Sequence, residues 1–259
     1  MTGLRTWVLV CLTGLLLAPP ATRAQDAEET ASAARARAIL RESLELIAGG
    51  ERLGFRIDSE FDVVQGSGQK LEFGAESSVT LRRPNRVRID KRRRDGHEVR
   101  FTFDGENGTL YSPDQKVYAT TALGETIDEA LDRLITEIGV PIPLSELLQS
   151  DVASVIEQKI ESALYVGPST LDGVACEHVA FGLPDVNAQM WIERGDRPFL
   201  RRVVLTYDLE EGSPQFRANF SGWTLTPSVP DSLFGFDAPE GAQKVNFVQV
   251  AAPLAAETP

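Results

Sequence analysis

Cysteine and histidine are scarce in this chain of 259 residues, with two of each. Cys11 lies inside the apolar start and leaves with it, so Cys176 stands alone and no internal disulfide can form. Two histidines and one remaining cysteine are too few for a zinc site, so no metal is expected. Positive charge is short as well. Lys and Arg number 26 against 38 Asp and Glu, a net charge of -12, which excludes nucleic acid as a partner because a phosphate backbone repels such a surface. No apolar run beyond the first 24 residues is long enough to span a bilayer, so no stable membrane span is expected. No catalytic motif occurs, and the chain reads as a protein that is not an enzyme.

The first 24 residues read as a secretory signal. Arg5 supplies a weak positive start, Trp7 to Ala18 the apolar run, and Thr22-Arg23-Ala24 small residues at a cleavage site. The run is short for a span and is broken by Pro19-Pro20. Leu9-Val10-Cys11 does not suit lipidation, since Val10 is not small and the apolar run continues past the cysteine. Cleavage after Ala24 removes Arg5 and Arg23 and makes the remaining chain more acidic still. The expected organisation is a signal peptide over 1–24, one domain over 25–250 and a disordered Ala/Pro-rich tail over 251–259. Export follows from the leader.

What is present is mostly alternation. From Asp26 to Ile47 the composition is helical, with Ile39, Leu40, Leu44 and Ile47 at helical spacing and Gly49-Gly50 as a stop. The period then becomes two. Phe55, Ile57, Phe61 and Val63 fall on one face, and Arg56, Asp58, Glu60 and Asp62 on the other. Leu71, Phe73, Ala75, Val79 and Leu81 repeat the pattern, then Val87 and Ile89, then Val99, Phe101 and Phe103, with turns between. Leu110-Tyr111 and Val117-Tyr118 form a short hairpin around Ser112-Pro113-Asp114. Helices interrupt from Thr126 to about Ser162. Thr126 and Glu129 have capping-box spacing, and Ile127, Leu131, Leu134, Ile135 and Ile138 make a stripe closed by Gly139. Pro143 opens a short helix with Leu144, Leu147 and Leu148, and a third segment starts at Asp151. About five strands follow, and a last edge strand is expected over 244–250. The predicted class is α+β: one large curved antiparallel sheet of about eleven strands, a half-barrel, with an N-terminal helix and an inserted helical block over its concave face.

Several phrases resemble the periplasmic lipoprotein carriers LolA and LolB. They are Arg83-Pro84-Asn85-Arg86-Val87-Arg88, Asp104-Gly105-Glu106-Asn107-Gly108-Thr109-Leu110-Tyr111-Ser112-Pro113, Met190-Trp191-Ile192-Glu193 with Pro198, and Pro230-Asp231-Ser232-Leu233-Phe234-Gly235-Phe236 followed by Pro239-Glu240-Gly241-Ala242. They stand in the carriers' order. The chain is more closely similar to a family of predicted periplasmic proteins of unknown function. That likeness is carried by Tyr118-Ala119-Thr120, Thr126-Ile127-Asp128-Glu129-Ala130-Leu131-Asp132, Asp172-Gly173-Val174-Ala175-Cys176-Glu177-His178 and Gly195-Asp196-Arg197-Pro198. The resemblance implies a half-barrel whose cavity is lidded by helices, without enzymatic activity or cofactor; it implies neither cargo nor partner.

Candidate residues follow from that layout. An apolar cavity for a lipid or acyl ligand would be lined by Phe55, Ile57, Phe61, Leu71, Phe73, Val79, Leu81, Phe101 and Phe103 from strands, and Leu131, Leu134, Ile135, Leu147 and Leu148 from helices. On pattern alone these side chains serve a filled core at least as readily, since alternation reports burial and not emptiness. In that case the fold would be a structural or interaction module of the envelope. Lys91, Arg92, Arg93 and Arg94 form a basic run suited to docking an anionic headgroup or an acidic envelope protein, against the simpler reading of a solvated hairpin balanced by neighbouring acids. Cys176 and His178 share a strand face but have no third ligand or orienting group, and read as a buried thiol beside a satisfied histidine. His97 shows no partner in the sequence. Trp191 and Trp223 read as core or rim aromatics.

Overall fold

Period-two alternation drives β1 (Arg52–Val64) and β2 (Lys70–Arg82) into a long antiparallel hairpin. In the computed structural model, which describes residues 20–139, 143–226 and 228–247, Phe55 lies opposite Val79 and Phe61 opposite Phe73. The meander continues through β3 (Arg86–Arg93), β4 (Glu98–Phe103), β5 (Asn107–Ser112) and β6 (Val117–Ala122). A second meander holds β7 (Ser162–Leu171), β8 (Val174–Leu183), β9 (Val186–Glu193), β10 (Leu200–Thr206) and β11 (Gln215–Thr224). Pairing of β1 with β11 joins the two, placing Ile57 against Phe220 and Phe61 against Phe216. The result is one open sheet in the order β12-β6-β5-β4-β3-β2-β1-β11-β10-β9-β8-β7.

The class is α+β as expected, with two corrections to the sheet. Among the described residues it has twelve strands, and the last of these, β12 (Gln243–Lys244), runs parallel to β6. The C-terminal segment returns alongside β6 through Gln243 N–H to the Lys116 carbonyl and Val245 N–H to the Tyr118 carbonyl. The edge strand expected over 244–250 is therefore shorter and earlier, and 248–250 lie outside the described residues. So do 1–19 of the expected leader and the 251–259 tail.

The first helix, α1 (Pro20–Ala48), starts before the expected Asp26; a proline suits a first turn, whose amide has no helical partner. Ala36, Leu40, Leu44 and Ile47 make its buried stripe, which lies against β7, β8 and β9. The inserted block comprises α2 (Ile127–Thr136), a 3-10 turn at Ser145–Leu148, and α3 (Val152–Lys159). Thr126 caps α2, its hydroxyl accepting from the Glu129 amide at 3.2 Å. Glu129 reaches back to the Glu125 amide at 2.7 Å, one residue before the cap. Gly139, at φ 72, ends the segment in the left-handed region. Ile135 is 44% exposed, so the buried stripe of α2 is narrower than expected: Ile127, Ala130, Leu131 and Leu134.

Candidate functional site: a cavity under the helical block

The concave face carries the apolar row of each strand, and the inserted block covers its middle. Between them lies a cavity of about 100 Å³. Phe55, Ile57, Ser59 and Phe61 from β1, Ser77 and Val79 from β2, Ile89 and Lys91 from β3, and Phe216 from β11 form its wall. Pro143, Leu144, Ser145, Leu147 and Leu148 close it. Leu144 turns into the 3-10 segment through a left-handed backbone at φ 61, a conformation that a leucine adopts only when its surroundings hold it.

Few polar contacts fix this lid. Arg83, next to the β2–β3 turn, donates Nη1 to the Leu148 carbonyl at 2.6 Å. Its Nε and Nη2 are buried with no partner among the described residues, and burial pulls its pKa down. Asp128 on α2 accepts from the Ser150 amide at 3.0 Å. On the far side, Arg37 of α1 reaches Glu157 at 2.9 Å and the Ile160 carbonyl at 3.1 Å, holding α3 to α1.

Of the residues expected to line a cavity, Phe55, Ile57, Phe61, Val79, Leu147 and Leu148 do so. Leu81, Phe103, Leu131 and Leu134 are fully packed core, and Phe101 is half-buried against it. Leu71 and Phe73 stand at the far end of β2, 38% and 40% exposed, where Phe73 stacks on Phe61 at 5.8 Å. Ile135 faces outward. Those expectations are corrected: alternation fixes the face of a strand but not how far along it the lid extends. The residues that sequence reasoning missed are Ser59, Ser77, Ile89, Pro143, Leu144, Ser145 and Phe216. Ile89 was legible from its place in the β3 apolar row; Phe216 was not, because only the β1–β11 pairing brings it there.

The basic run does not form one patch. Alternation turns Lys91 and Arg93 to the concave side and Arg92 and Arg94 to the convex side. Arg92 meets Glu76 at 2.9 Å; Arg94 meets Glu60 at 2.9 Å and Asp58 at 3.3 Å; Arg93 meets Asp95 at 2.8 Å. A wider groove of about 530 Å³ crosses the convex side, and its charged walls, among them Arg56, Asp58, Glu76, Arg92 and Arg100, neutralise one another. His97 has a partner after all: the β5–β6 turn brings Asp114 to 2.6 Å from its ring.

Cys176 is fully buried, and burial pushes its thiol pKa up, away from nucleophilic use. His178 stacks on Trp191 at 4.1 Å and hydrogen-bonds Gln189 at 3.2 Å. Trp223 stacks on Phe55 at 4.4 Å and donates to the Leu200 carbonyl at 2.8 Å. Among the described residues no three His, Cys, Asp or Glu side chains gather to hold a metal, and no helix is long and apolar enough to cross a membrane.

The sequence profile of a family described as "Predicted periplasmic protein (DUF2092)" matches residues 36–248. No curated protein sequence matches the chain. Among solved structures, the fold is similar to the Mycobacterium tuberculosis lipoprotein LppX, at 16% identity and TM-score 0.47, over 76% of this chain and 98% of that one. It is similar to LprF from Mycobacterium bovis at 14% identity and TM-score 0.46, over 77% and 97%. MucB in the Pseudomonas aeruginosa MucA/MucB complex gives 14% identity and TM-score 0.42, over 78% and 61%.

Proposed function

The chain belongs to the DUF2092 family of predicted periplasmic proteins, and on that footing we propose that it is an exported, non-enzymatic binding protein, its leader cleaved after Ala24. It holds the apolar chain of a lipid or acyl ligand between the concave sheet and the inserted block. The observation that carries this reading is the cavity itself: a mainly apolar space between sheet and inserted block, covered by a short segment with few polar ties. Each CH₂ buried there contributes roughly 0.8 kcal/mol, so an acyl chain binds without polar readout along its length.

The cavity's volume of about 100 Å³ equals only about three waters' share of liquid. A full acyl chain therefore enters with displacement of the Pro143–Leu148 segment. The same small volume favours a second reading, an envelope interaction module on a nearly filled scaffold. One experiment separates the two. Native mass spectrometry of the exported protein, with titration of a fluorescent fatty-acyl probe, is expected to show a bound lipid or a saturable site. Ser77→Phe, which fills the cavity from a half-exposed position, weakens probe binding at least tenfold and leaves the melting temperature in place. Absence of both co-purified lipid and probe binding in the unaltered protein sinks the carrier reading and leaves the scaffold.

A further inference from the structure

Before it reaches β6, the C-terminal segment crosses the convex side of the first meander. Arg82 of β2 binds Asp231 at 2.6 Å, and Arg88 of β3 donates to the Leu233 carbonyl at 3.3 Å. Phe234 is fully buried, and the Phe236 ring packs on Tyr111 at 5.3 Å and on Tyr118 at 5.2 Å. Between Phe236 and the strands a pocket of about 220 Å³ remains. Its strand side is a row of threonines: Thr102 of β4 lies opposite Thr109 of β5, and Thr109 opposite Thr120 of β6. The hydroxyls of Thr109 and Thr120 bond each other at 3.0 Å. Thr102 is only 2% exposed, and its hydroxyl has no hydrogen-bond partner among the described residues. Packing alone would be served by valine, which has the same shape and no hydroxyl to desolvate. Beside the row, Asp104 accepts through Oδ1 from the Glu106 amide at 3.1 Å and the Asn107 amide at 2.8 Å. That leaves Oδ2 and the Asn107 carboxamide to the pocket, where Asp104 is the one charged side chain among the described lining residues.

We propose that this pocket binds one neutral sugar ring, free or at the end of a glycan. A sugar hydroxyl both donates and accepts, and hydroxyl, carboxamide and carboxylate side chains together meet both needs. The Phe236 and Tyr118 rings supply an apolar wall for the C–H face of the same ring. An anionic ligand finds no cation in this lining, and one carboxylate is too few oxygens to hold a hard metal ion. The volume, about seven waters' share of liquid, suits a single hexose. The pocket lies on the opposite side of the sheet from the acyl cavity, so the two sites stand or fall separately.

The test titrates the exported protein with glucose, galactose, mannose, N-acetylglucosamine, their methyl glycosides and glucuronate, read by saturation-transfer NMR. At least one neutral sugar is expected to bind saturably and more tightly than glucuronate. Glycosides that bind as well as the free sugar mark the end of a glycan as the ligand; glycosides that are excluded mark a free sugar. Thr102→Val and Asp104→Asn each weaken binding about fivefold, the loss of one hydrogen bond, and leave the melting temperature in place. Asparagine keeps the oxygen that holds the turn, so Asp104→Asn carries the test should the valine variant fold poorly. Thr102→Ser retains binding, and Ser77→Phe in the acyl cavity leaves it unchanged. No saturable binding of any neutral sugar, glucuronate binding as tightly as the best of them, or binding that survives both Thr102→Val and Asp104→Asn overturns the assignment.

Discussion

Arg83 and His178 occupy positions that oppose their own charge. The Arg83 guanidinium is buried with one hydrogen bond, to the Leu148 carbonyl, and two nitrogens left without partners. Removing it forfeits one charge-assisted hydrogen bond, worth about 1.5–3 kcal/mol, and also removes a desolvated cation whose burial costs a comparable amount. The two nearly cancel globally but not locally. Arg83→Met is expected to change unfolding free energy by less than about 1 kcal/mol, while amide exchange across 145–149 accelerates at least tenfold, read by hydrogen-exchange mass spectrometry. His178 is half-buried against Trp191, and burial, only partly opposed by the Gln189 hydrogen bond, lowers its pKa below the ordinary value near about 6.5. The unfolded chain then binds this proton at a higher pH than the folded one. Its contribution is complete above about pH 6.5 and is lost as pH falls through the lower folded value. His178→Phe keeps the stacked ring and removes the titration. The urea midpoint of the variant should therefore fall less between pH 7.5 and pH 5.5 than that of the unaltered protein.

At the level of elements, legibility followed the strength of local signals. The strands were readable because every turn of the meanders is marked by Gly, Pro, Asn or Asp, and because the long strands, β1, β2 and β11 among them, alternate. The start of α2 was readable because Thr126 and Glu129 are a local pair, and the structure shows the Thr126 hydroxyl on the Glu129 amide. Thr126→Ala is expected to cost about 1 kcal/mol of stability, measured by denaturant unfolding, since the cap's partner amide then has only water. A loss below a few tenths would mean that Glu129, through the Glu125 amide, already holds the turn. The lid was not readable in the same way. Pro143 announced a helix, but the path into it runs through a left-handed Leu144, set by packing against the sheet rather than by anything leucine prefers. Leu71, Phe73 and Ile135 were misplaced for a related reason: an apolar residue on the correct face of an element can still lie beyond the edge of what covers it.

For the whole molecule, each meander was visible in the sequence but the seam between them was not. Pairing of β1 with β11 joins residues about 150 positions apart, such as Phe61 and Phe216, and it determines which side chains wall the cavity. A largely buried carboxylate lies on that seam. Asp62 of β1 accepts from Arg217 of β11 at 2.6 Å and from the Gln215 amide at 3.1 Å. Burial alone would raise the Asp62 carboxyl, but the Arg217 and Gln215 hydrogen bonds and the cations of Arg217 and Lys70 outweigh it and hold its pKa below the usual range. Asp90, between Arg88 and Arg100, is lowered in the same way against its own burial. For a carboxylate lowered on folding, the stabilisation is present above the unfolded value of about 3.9 and is lost as pH falls through the folded one. The sheet should therefore keep its melting temperature from neutrality to about pH 5 with respect to these groups and lose it below about pH 4. Asp62→Asn should cost about 1–3 kcal/mol at pH 7, near the low end because Arg217 retains Glu72 at 3.0 Å. Its melting temperature should then fall less steeply with acid than that of the unaltered protein. Parallel acid slopes for the two proteins would place the acid-sensitive contacts away from the seam and mean that the Asp62 carboxyl titrates alike in the folded and the unfolded chain.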